Sequence, residues 1–261
     1  MIVYPNVKIN LGLHVLCKRP DGFHDLETLF IPYFGIRDTL EIIELPGTGK
    51  VRFVPSAAVT WDNDLTVRAY NLLSEDFELP SVEIRLTKNA PVGAGLGGGS
   101  SDVAFCLKAL NEMFSLGLSD ESLAAYASRL GSDCAFFIYN RPMLGTGRGE
   151  ILTPYEPALD GYEIRVVVPE GLSVSTAEAY RGIRPRAAYG EACPGLSLKD
   201  CLSRPVSEWK DILVNDFEKT VFAAHPQLAE MKAELYRQGA AYAAMSGSGS
   251  ALFGLFSKVC K

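Results

Sequence analysis

The chain has 261 residues, of which 48% are hydrophobic and 21% charged, with a formal net charge of −6 at pH 7. This length suits one large domain or two smaller ones, and the composition is ordinary for a globular protein. An acidic balance without a run of Lys and Arg argues against nucleic acid as a partner. The sequence has no apolar stretch of 18 residues and no leader-like N-terminus, so we expect no membrane partner and a cytoplasmic location.

The cysteines and histidines show no metal-binding spacing. The six cysteines stand at positions 17, 106, 134, 193, 201 and 260, and no two of them form a C-x-x-C pair. Structural zinc sites are usually built from such pairs. We therefore expect free thiols, as in a reducing compartment, and no metal held by protein ligands alone.

Alternating residues predict a first strand between positions 7 and 15. Apolar side chains there occupy every second position, and Lys8 and Asn10 lie on the opposite face, which is the period of a β-strand. That second face could be solvated, or it could carry a functional site. The next predicted elements are strands at 38–45, 51–55 and 81–88, and a helix at 63–77.

A glycine-rich segment, APVGAGLGGGSS at 90–101, precedes a helical pattern. Helix N-termini carry unpaired N–H groups and partial positive charge, and glycines let a phosphate approach them closely. The segment could bind phosphate or serve as a flexible linker, and it lacks both the Gly-Lys-Ser/Thr of a Walker A loop and a βαβ context. Because an amphipathic helix follows without a break, we favour phosphate binding, with Ser100, Ser101 and Asp102 as candidate helix caps.

The rest of the chain mixes helices and strands without a regular βαβ rhythm. A helix at 119–131 is predicted to end at Gly131, and Asp133 follows it. After a stretch containing Pro and Gly at 150–162, the predicted elements are a strand at 163–169, helices at 173–181, 206–214 and 226–238, and a strand–loop–strand at 241–256. This order predicts an α+β fold class. We place a first domain at 1–155 and a second at 156–261.

A phosphate-binding loop, a lysine and an isolated aspartate together indicate phosphoryl transfer to a hydroxyl group. Such transfer depends on positioning and on charge stabilisation more than on covalent chemistry of the protein. Asp133 could be a base with a perturbed pKa, or a carboxylate that caps a helix or a turn.

Four segments resemble the GHMP kinases, a family of small-molecule kinases. They are KINLGLHVLCKRPDGFHDLETLF at 8–30, PVGAGLGGGSSDVA at 91–104, LGSDCAFF at 130–137 and MSGSGSALFGLF at 245–256. The resemblance implies a two-domain fold, with an N-terminal part similar to ribosomal protein S5 domain 2 and a ferredoxin-like C-terminal part. It also implies ATP and Mg²⁺ as cofactors.

The resemblance implies a role for individual residues. Asp133 would take the proton from the substrate hydroxyl, and Lys8 would hydrogen-bond that hydroxyl and stabilise charge. The expected nucleotide-binding residues are Pro91, Gly93, Gly95, Gly97, Gly98, Gly99, Ser100 and Ser101. The expected substrate-binding residues are Asn10, Phe23, His24, Thr176, Tyr180, Gly247 and Ser248. Phe23 and Tyr180 would stack on a cytosine whose edge His24 contacts, unless Phe23 belongs to the core.

Within the family, the DGFH segment at 21–24 implies ATP-dependent phosphorylation of the 2-hydroxyl of 4-diphosphocytidyl-2-C-methyl-D-erythritol, in non-mevalonate isoprenoid biosynthesis. Another GHMP small-molecule kinase and an inactive nucleotide-binding regulator are the alternatives. An aromatic residue at 23 argues against a small aliphatic substrate, and the presence of Lys8 and Asp133 argues against an inactive protein. Asp102 stands where the family often has Asn, and we expect it to cap the helix or to bind the metal indirectly.

Overall fold

The computed structural model describes residues 1–55 and 64–258. The predicted start of the first helix at residue 63 and the cysteine at 260 lie outside the described residues. The strands are β1 (Ile2–Val3), β2 (Asn6–Lys18), β3 (His24–Arg37), β4 (Thr39–Thr48), β5 (Val51–Pro55), β6 (Pro80–Thr87), β7 (Met143–Thr146), β8 (Ile151–Pro154), β9 (Tyr162–Val167), β10 (Tyr242–Met245) and β11 (Leu252–Ser257). The helices are α1 (Leu65–Ser74), α2 (Gly98–Met113), α3 (Asp120–Ser128), α4 (Cys134–Tyr139), α5 (Thr176–Tyr180), α6 (Leu198–Leu202), α7 (Trp209–Ile212), α8 (Glu218–Ala224) and α9 (Pro226–Arg237), with a 3₁₀ turn at Val206–Glu208.

Two compact units make up the chain, and their segments alternate along the sequence. Unit 1 contains Met1–Lys8, Pro32–Val92 and Gly97–Arg141. Unit 2 contains Ile9–Ile31, Gly93–Leu96 and Pro142–Lys261. Because neither unit is one continuous segment, the predicted boundary between residues 155 and 156 stays a prediction.

Unit 1 combines a four-stranded sheet with helices. The strand order is β1-β4-β6-β5, with β4 antiparallel and β5 parallel to β6. In β4 the buried Leu40 and Ile42 alternate with more exposed residues, as the period of a strand requires. Helix α2 packs against α1, α3 and α4. Its buried stripe, which includes Val103 and Leu107, explains why the sequence shows helical periodicity there.

Unit 2 contains the three-stranded antiparallel sheet β10-β11-β9, and helix α9 packs against β10 and β11. Leu228 and Leu235 form the buried face of α9 and join a core that includes Phe217, Met245 and Leu252. A second sheet has the order β2-β3-β7-β8, and the unit boundaries fall inside its first two strands, after Lys8 and Ile31. The prediction of an α+β fold class is confirmed. Across the described residues, no helix has the length and apolar content that a membrane crossing requires.

The structure decides between two alternatives for β2 and shows two local predictions to be wrong. Strand β2 has no solvated face, because Lys8 and Asn10 are buried like Ile9 between them. Ser100, Ser101 and Asp102 do not cap α2, because Gly97 is the N-cap and its φ of +72° lets the chain turn into the helix one residue later. Gly131 does not cap α3, which ends at Ser128 with Arg129 in a helical conformation.

Candidate active site

Lys8 and Asp133 form an ion pair in unit 1. Lys8 lies on β2, Asp133 directly precedes α4, and Lys8 Nζ is 3.5 Å from Asp133 Oδ2. The lysine side chain is buried, whereas the aspartate side chain is 30% exposed. A buried cation beside a partly open carboxylate is an arrangement that can receive a hydroxyl group and stabilise charge on it.

Burial also changes the acidity of the lysine. Removal from water lowers the pKa of Lys8 below its usual value, and the neighbouring Asp133 carboxylate opposes that shift by favouring the ammonium form. Burial and the Asp133 carboxylate therefore act in opposite directions on the pKa of Lys8, and the effect of burial is the larger. Sequence reasoning placed both residues in the site, and the structure brings them together.

The second half of the glycine-rich segment, residues 97–101, which we call the second half of the glycine loop, lies next to this pair in unit 1. A Cβ added to Gly97 would lie 3.1 Å from Lys8 Cε and from the ring of Phe137. A side chain here would press on Lys8 and Phe137, and the φ of +72° is itself unfavourable for residues other than glycine. Gly98 and Gly99 form the first turn of α2, whose N–H groups have no partner inside the helix. This turn can therefore offer backbone donors to a phosphate.

The two serines of the loop differ in their surroundings. Ser100 is half-buried and lies near the Cys134 thiol, whose pKa burial raises to about 11 while Ser100 opposes that rise. Ser101 is fully buried, its amide donates to the Gly97 carbonyl at 2.9 Å, and its hydroxyl has no hydrogen-bond partner among the described residues. The accessible serine hydroxyl of the loop is therefore that of Ser100.

The first half of the glycine loop, Gly93–Leu96, belongs to unit 2 and is hydrogen-bonded to the segment around the C-terminal small-residue loop at 246–250. Ser246 Oγ donates to the Gly95 carbonyl at 3.0 Å, and the Ala251 amide donates to the Ala94 carbonyl at 3.0 Å. A Cβ added to Gly95 would lie 2.1 Å from the Ser246 carbonyl oxygen. The glycine at 95 therefore permits a backbone-to-backbone contact that any side chain would prevent.

A buried charge cluster supports the start of α2 in unit 1. Lys88 Nζ donates to Asp102 Oδ2 at 2.6 Å and also binds the Asp38 carboxylate. Burial, together with the charge of Asp38, raises the pKa of Asp102 to about 8, although Lys88 opposes that shift. The expectation that Asp102 caps the helix is wrong, because its carboxylate faces Lys88 instead. Its second oxygen is buried and has no hydrogen-bond partner within the described chain.

Asn10 lies in a hydrogen-bonded group of unit 2. Its Nδ2 donates to Thr28 Oγ1 at 3.0 Å, and Thr28 Oγ1 donates to the Gly12 carbonyl at 2.6 Å. The backbone N–H of Asn10 donates to Ser246 Oγ at 3.2 Å. The side-chain orientation of Asn10 is thus set by β3, while its backbone holds the loop at 246–250.

The aromatic residues assigned to cytosine also belong to unit 2. His24 and Tyr180 stack with ring centroids 4.6 Å apart, and Tyr180 meets Phe217 edge-on at 4.8 Å. Phe23 is 54% exposed, so it is not a core residue. Burial lowers the pKa of His24, and Lys18 adds to that shift, so the imidazole is neutral near pH 7.

The remaining predicted site residues differ in exposure. Thr176 is the first residue of α5 and is exposed, as is Pro91 at the start of the glycine loop. Gly93 has a φ of +72°, and a Cβ there would lie 3.7 Å from Ser173 Cβ. Gly247 is buried and its carbonyl accepts from Asn215 Nδ2 at 2.8 Å, whereas Ser248 is half-buried.

Sequence reasoning missed several residues that support the site. Lys88 lies two positions before the glycine-rich segment at 90–101, and a lone lysine at the end of a predicted strand could have indicated an interaction with that segment. Thr28 and Ser246 lie in the segments 8–30 and 245–256 that carry the family resemblance, but the resemblance assigned no role to either residue. Arg148 lies in a glycine-rich turn, GTGRGE at 145–150, and its guanidinium covers the Phe23 ring at 4.9 Å.

Family models match both parts of the chain. Residues 64–141 match the N-terminal domain of the GHMP kinases, and residues 197–259 match their C-terminal domain. A 4-diphosphocytidyl-2-C-methyl-D-erythritol kinase of Bacteroides thetaiotaomicron is 50% identical over 260 residues, which cover 98% of this chain and 92% of the relative. A protein of the same name from Solidesulfovibrio magneticus is 41% identical, covering 96% and 86% respectively.

Solved structures show the same likeness. A crystal structure of 4-(cytidine 5'-diphospho)-2C-methyl-D-erythritol kinase superposes with a TM-score of 0.81 at 34% identity, covering 98% of this chain and 90% of the other. A homoserine kinase from Cytophaga hutchinsonii superposes with a TM-score of 0.67 at 17% identity, covering 97% and 85%. At that identity, the second likeness shows the fold alone.

Proposed function

Because this chain belongs to the GHMP kinase family, we propose that it phosphorylates 4-diphosphocytidyl-2-C-methyl-D-erythritol, transferring the γ-phosphoryl group of ATP to the 2-hydroxyl. The reaction is a step of non-mevalonate isoprenoid precursor biosynthesis. The observation that carries the proposal is the Lys8–Asp133 pair next to the glycine turn that begins α2. We expect ATP and this small molecule to be its partners and the cytoplasm to be its location.

In this reaction Asp133 would accept the proton of the substrate hydroxyl, because its carboxylate is partly exposed beside a cation. Lys8 would donate to the attacking oxygen and stabilise the charge that develops during transfer. The N–H groups of Gly98 and Gly99 would hold phosphate oxygens at the N-terminus of α2. Asn10, Phe23, His24 and Tyr180 would hold and orient the substrate.

Mg²⁺ would accompany the nucleotide. The described residues contain no group of three or more His, Cys, Asp or Glu side chains that could hold a metal ion. Proteins often bind Mg²⁺ through one or two side chains together with substrate phosphates. The accessible Ser100 hydroxyl is the side chain that would assist. The ion would neutralise phosphate charge during transfer.

The test is a turnover assay with purified chain, ATP, Mg²⁺ and 4-diphosphocytidyl-2-C-methyl-D-erythritol, in which ³¹P NMR follows ADP and the new phosphate ester. Homoserine and mevalonate serve as alternative acceptors. We expect phosphorylation of the cytidine compound alone. Turnover of another acceptor in its place would make the chain a different GHMP kinase, and ATP binding without any turnover would make it a regulator.

A further inference from the structure

The backbone around Phe23 is fixed although its ring is exposed. The Phe23 amide donates to Asp21 Oδ1 at 3.1 Å, and its carbonyl accepts from the Arg19 amide at 2.8 Å. Single exposed apolar side chains are common on protein surfaces, so exposure alone assigns no role. The contacts of the ring itself are more informative.

Arg148 covers one face of that ring. The Arg148 Cζ atom lies 4.9 Å from the Phe23 ring centroid, within the range of a cation–π interaction. Both residues belong to unit 2. A planar guanidinium on a ring face restricts the rotation of the ring and leaves its opposite face for another flat group.

The position of Arg148 is itself determined by its neighbours. The Arg148 amide donates to Glu150 Oε2 at 2.6 Å, and its Nε donates to Glu150 Oε1 at 3.3 Å. The turn that carries Arg148 is tied to β3, because the Leu26 amide donates to the Gly147 carbonyl at 2.7 Å. The cation is therefore held on the ring by a carboxylate and by a backbone contact with the strand that follows Phe23.

We propose that Arg148 is a positioning residue that holds Phe23 ready to stack on the cytosine of the substrate. This inference rests on the proposed function, because it takes the flat group on Phe23 to be the substrate's base. A ring that is already ordered loses less conformational entropy when the base binds, so Arg148 strengthens substrate binding through Phe23 without touching the reacting atoms. Substrate affinity is the quantity that Arg148 controls.

Unit 1 offers a matched control. Arg37 covers the exposed ring of Phe34 at 5.5 Å, and this pair resembles Arg148–Phe23 in chemistry and exposure. No role in the site is assigned to Arg37 or Phe34. Loss of the Arg37 guanidinium therefore reports what removing an exposed cation–π contact does by itself.

The experiment measures dissociation constants for the cytidine substrate and for ATP by calorimetry, with KM and kcat for the same variants. We expect R148A and R148M to weaken substrate binding and raise KM about two- to fivefold, the effect of an exposed cation–π contact. The kcat and the ATP dissociation constant stay as in the wild type, R148K retains part of the affinity, and R37A changes neither constant. In an F23A background, R148A adds no further loss.

If the wild-type chain phosphorylates the cytidine substrate, either of two results would overturn the inference about Arg148 and leave the proposed function intact. One is an unchanged substrate affinity in R148A and R148M, both with a wild-type melting temperature. The other is an equal loss from R148A with and without Phe23, which would mean that Arg148 contacts the substrate directly. A wild-type chain that neither binds nor phosphorylates the cytidine substrate overturns the proposed function, and the inference with it.

Discussion

At the scale of a single residue, the role of Asp133 as a general base predicts a large and specific loss of turnover. Asp133→Asn keeps the shape of the side chain but removes its basicity beside Lys8. We expect kcat to fall on the order of 10²–10⁴-fold, the contribution of a general base, while ATP affinity changes little. Steady-state kinetics and ATP calorimetry measure the two effects separately.

Asp120→Asn is the matched control, since Asp120 is an exposed aspartate in the first turn of α3. It should leave both quantities unchanged. Near-full turnover in Asp133→Asn would show that the base assignment is wrong. A loss of only a few-fold would assign an orienting role, because positioning and electrostatics carry much of phosphoryl transfer.

Two aromatic residues test the identity of the substrate. Phe23→Ala should weaken binding of the cytidine substrate by about 1–3 kcal/mol, the range for base–aromatic stacking, with ATP affinity unchanged. His24→Ala should relax the preference for the cytidine over the uridine compound, because a contact with the edge of the base distinguishes them. Kinetic constants for both compounds with both variants measure these effects.

The contacts of His24 call for a second variant in this test. Its ring also stacks on Tyr180, so His24→Ala could disturb Tyr180 as well as the base. His24→Phe keeps a ring for that stack and removes the polar edge. If His24→Phe discriminates between cytidine and uridine as the wild type does, the edge contact is not made by His24.

At the scale of one loop, substitutions at Gly99 and Gly95 test ligand binding and folding separately. A Cβ on Gly99 would lie 3.5 Å from Leu65 Cδ1, which is ordinary contact, so Gly99→Ala should leave stability unchanged or slightly higher in the helix. The added methyl group lies in the turn expected to bind phosphate. We expect ATP affinity to fall about tenfold or more, equivalent to about 1.4 kcal/mol, in calorimetry.

Gly95→Ala is the contrasting variant. Its Cβ would overlap the Ser246 carbonyl oxygen, and the φ of +75° is unfavourable for any other residue. We expect a loss of about 2 kcal/mol or more in the free energy of unfolding, seen as a lower melting temperature. If ATP affinity survives in both Gly99→Ala and Gly99→Val, the segment is a linker and the phosphate assignment fails.

Much of this loop and of the fold was predictable from local pattern. The strand at 51–55 and the helix at 226–238 were predicted from periodicity, and the structure has β5 and α9 there. Such predictions succeed because the spacing of apolar residues follows the period of the element that buries them. Helix α4 carries the apolar run CAFFIY, which is too short and too uniformly apolar to show a helical period. The long strand β3 was also not predicted, although its segment carried part of the family resemblance.

The candidate site was predictable where chemistry was local in sequence, and less so where it depends on distant partners. Lys8 and Asp133 were identified by residue type and by resemblance, but the burial of Lys8 follows from packing on both faces of β2. Asp102 was expected to cap α2 because it stands near the helix start. Its actual partner, Lys88, lies 14 positions away, and only tertiary structure brings the two together.

Charge across the whole molecule does not by itself explain how anions would bind. The net charge of −6 argues against nucleic acid as a partner, but binding of a small anion depends on local donors. Unit 1 provides them as Lys8 and the first turn of α2. The buried cation Lys88 is not such a donor, because its ammonium group already donates to Asp38 and Asp102.

That buried cluster makes the stability of the whole chain depend on pH. In the folded protein burial raises the pKa of Asp102 to about 8, whereas its unperturbed value is 3.8. Between these values the folded state holds a proton that the unfolded state has released, so stability falls as pH rises. Burial, followed by Arg186, lowers the pKa of His14 to about 4, which gives stability the opposite slope below pH 6.5. Burial also lowers the pKa of Lys8, and above that lowered pKa it gives stability a slope of the same sign as that of His14. The effect of Asp102 between pH 6.5 and 8 is therefore the difference between the wild type and a variant that lacks this carboxyl group.

Asp102→Asn resembles the protonated carboxyl group and cannot ionise. We expect the free energy of unfolding of the wild type to fall by about 1 kcal/mol more per pH unit than that of Asp102→Asn in that interval, approaching the limit for one proton. Urea unfolding followed by circular dichroism at four pH values measures both slopes. Asp120→Asn, which removes an exposed carboxylate instead, should keep the wild-type slope. Equal slopes in Asp102→Asn and the wild type would mean that Asp102 is ionised throughout, with Lys88 compensating its charge fully.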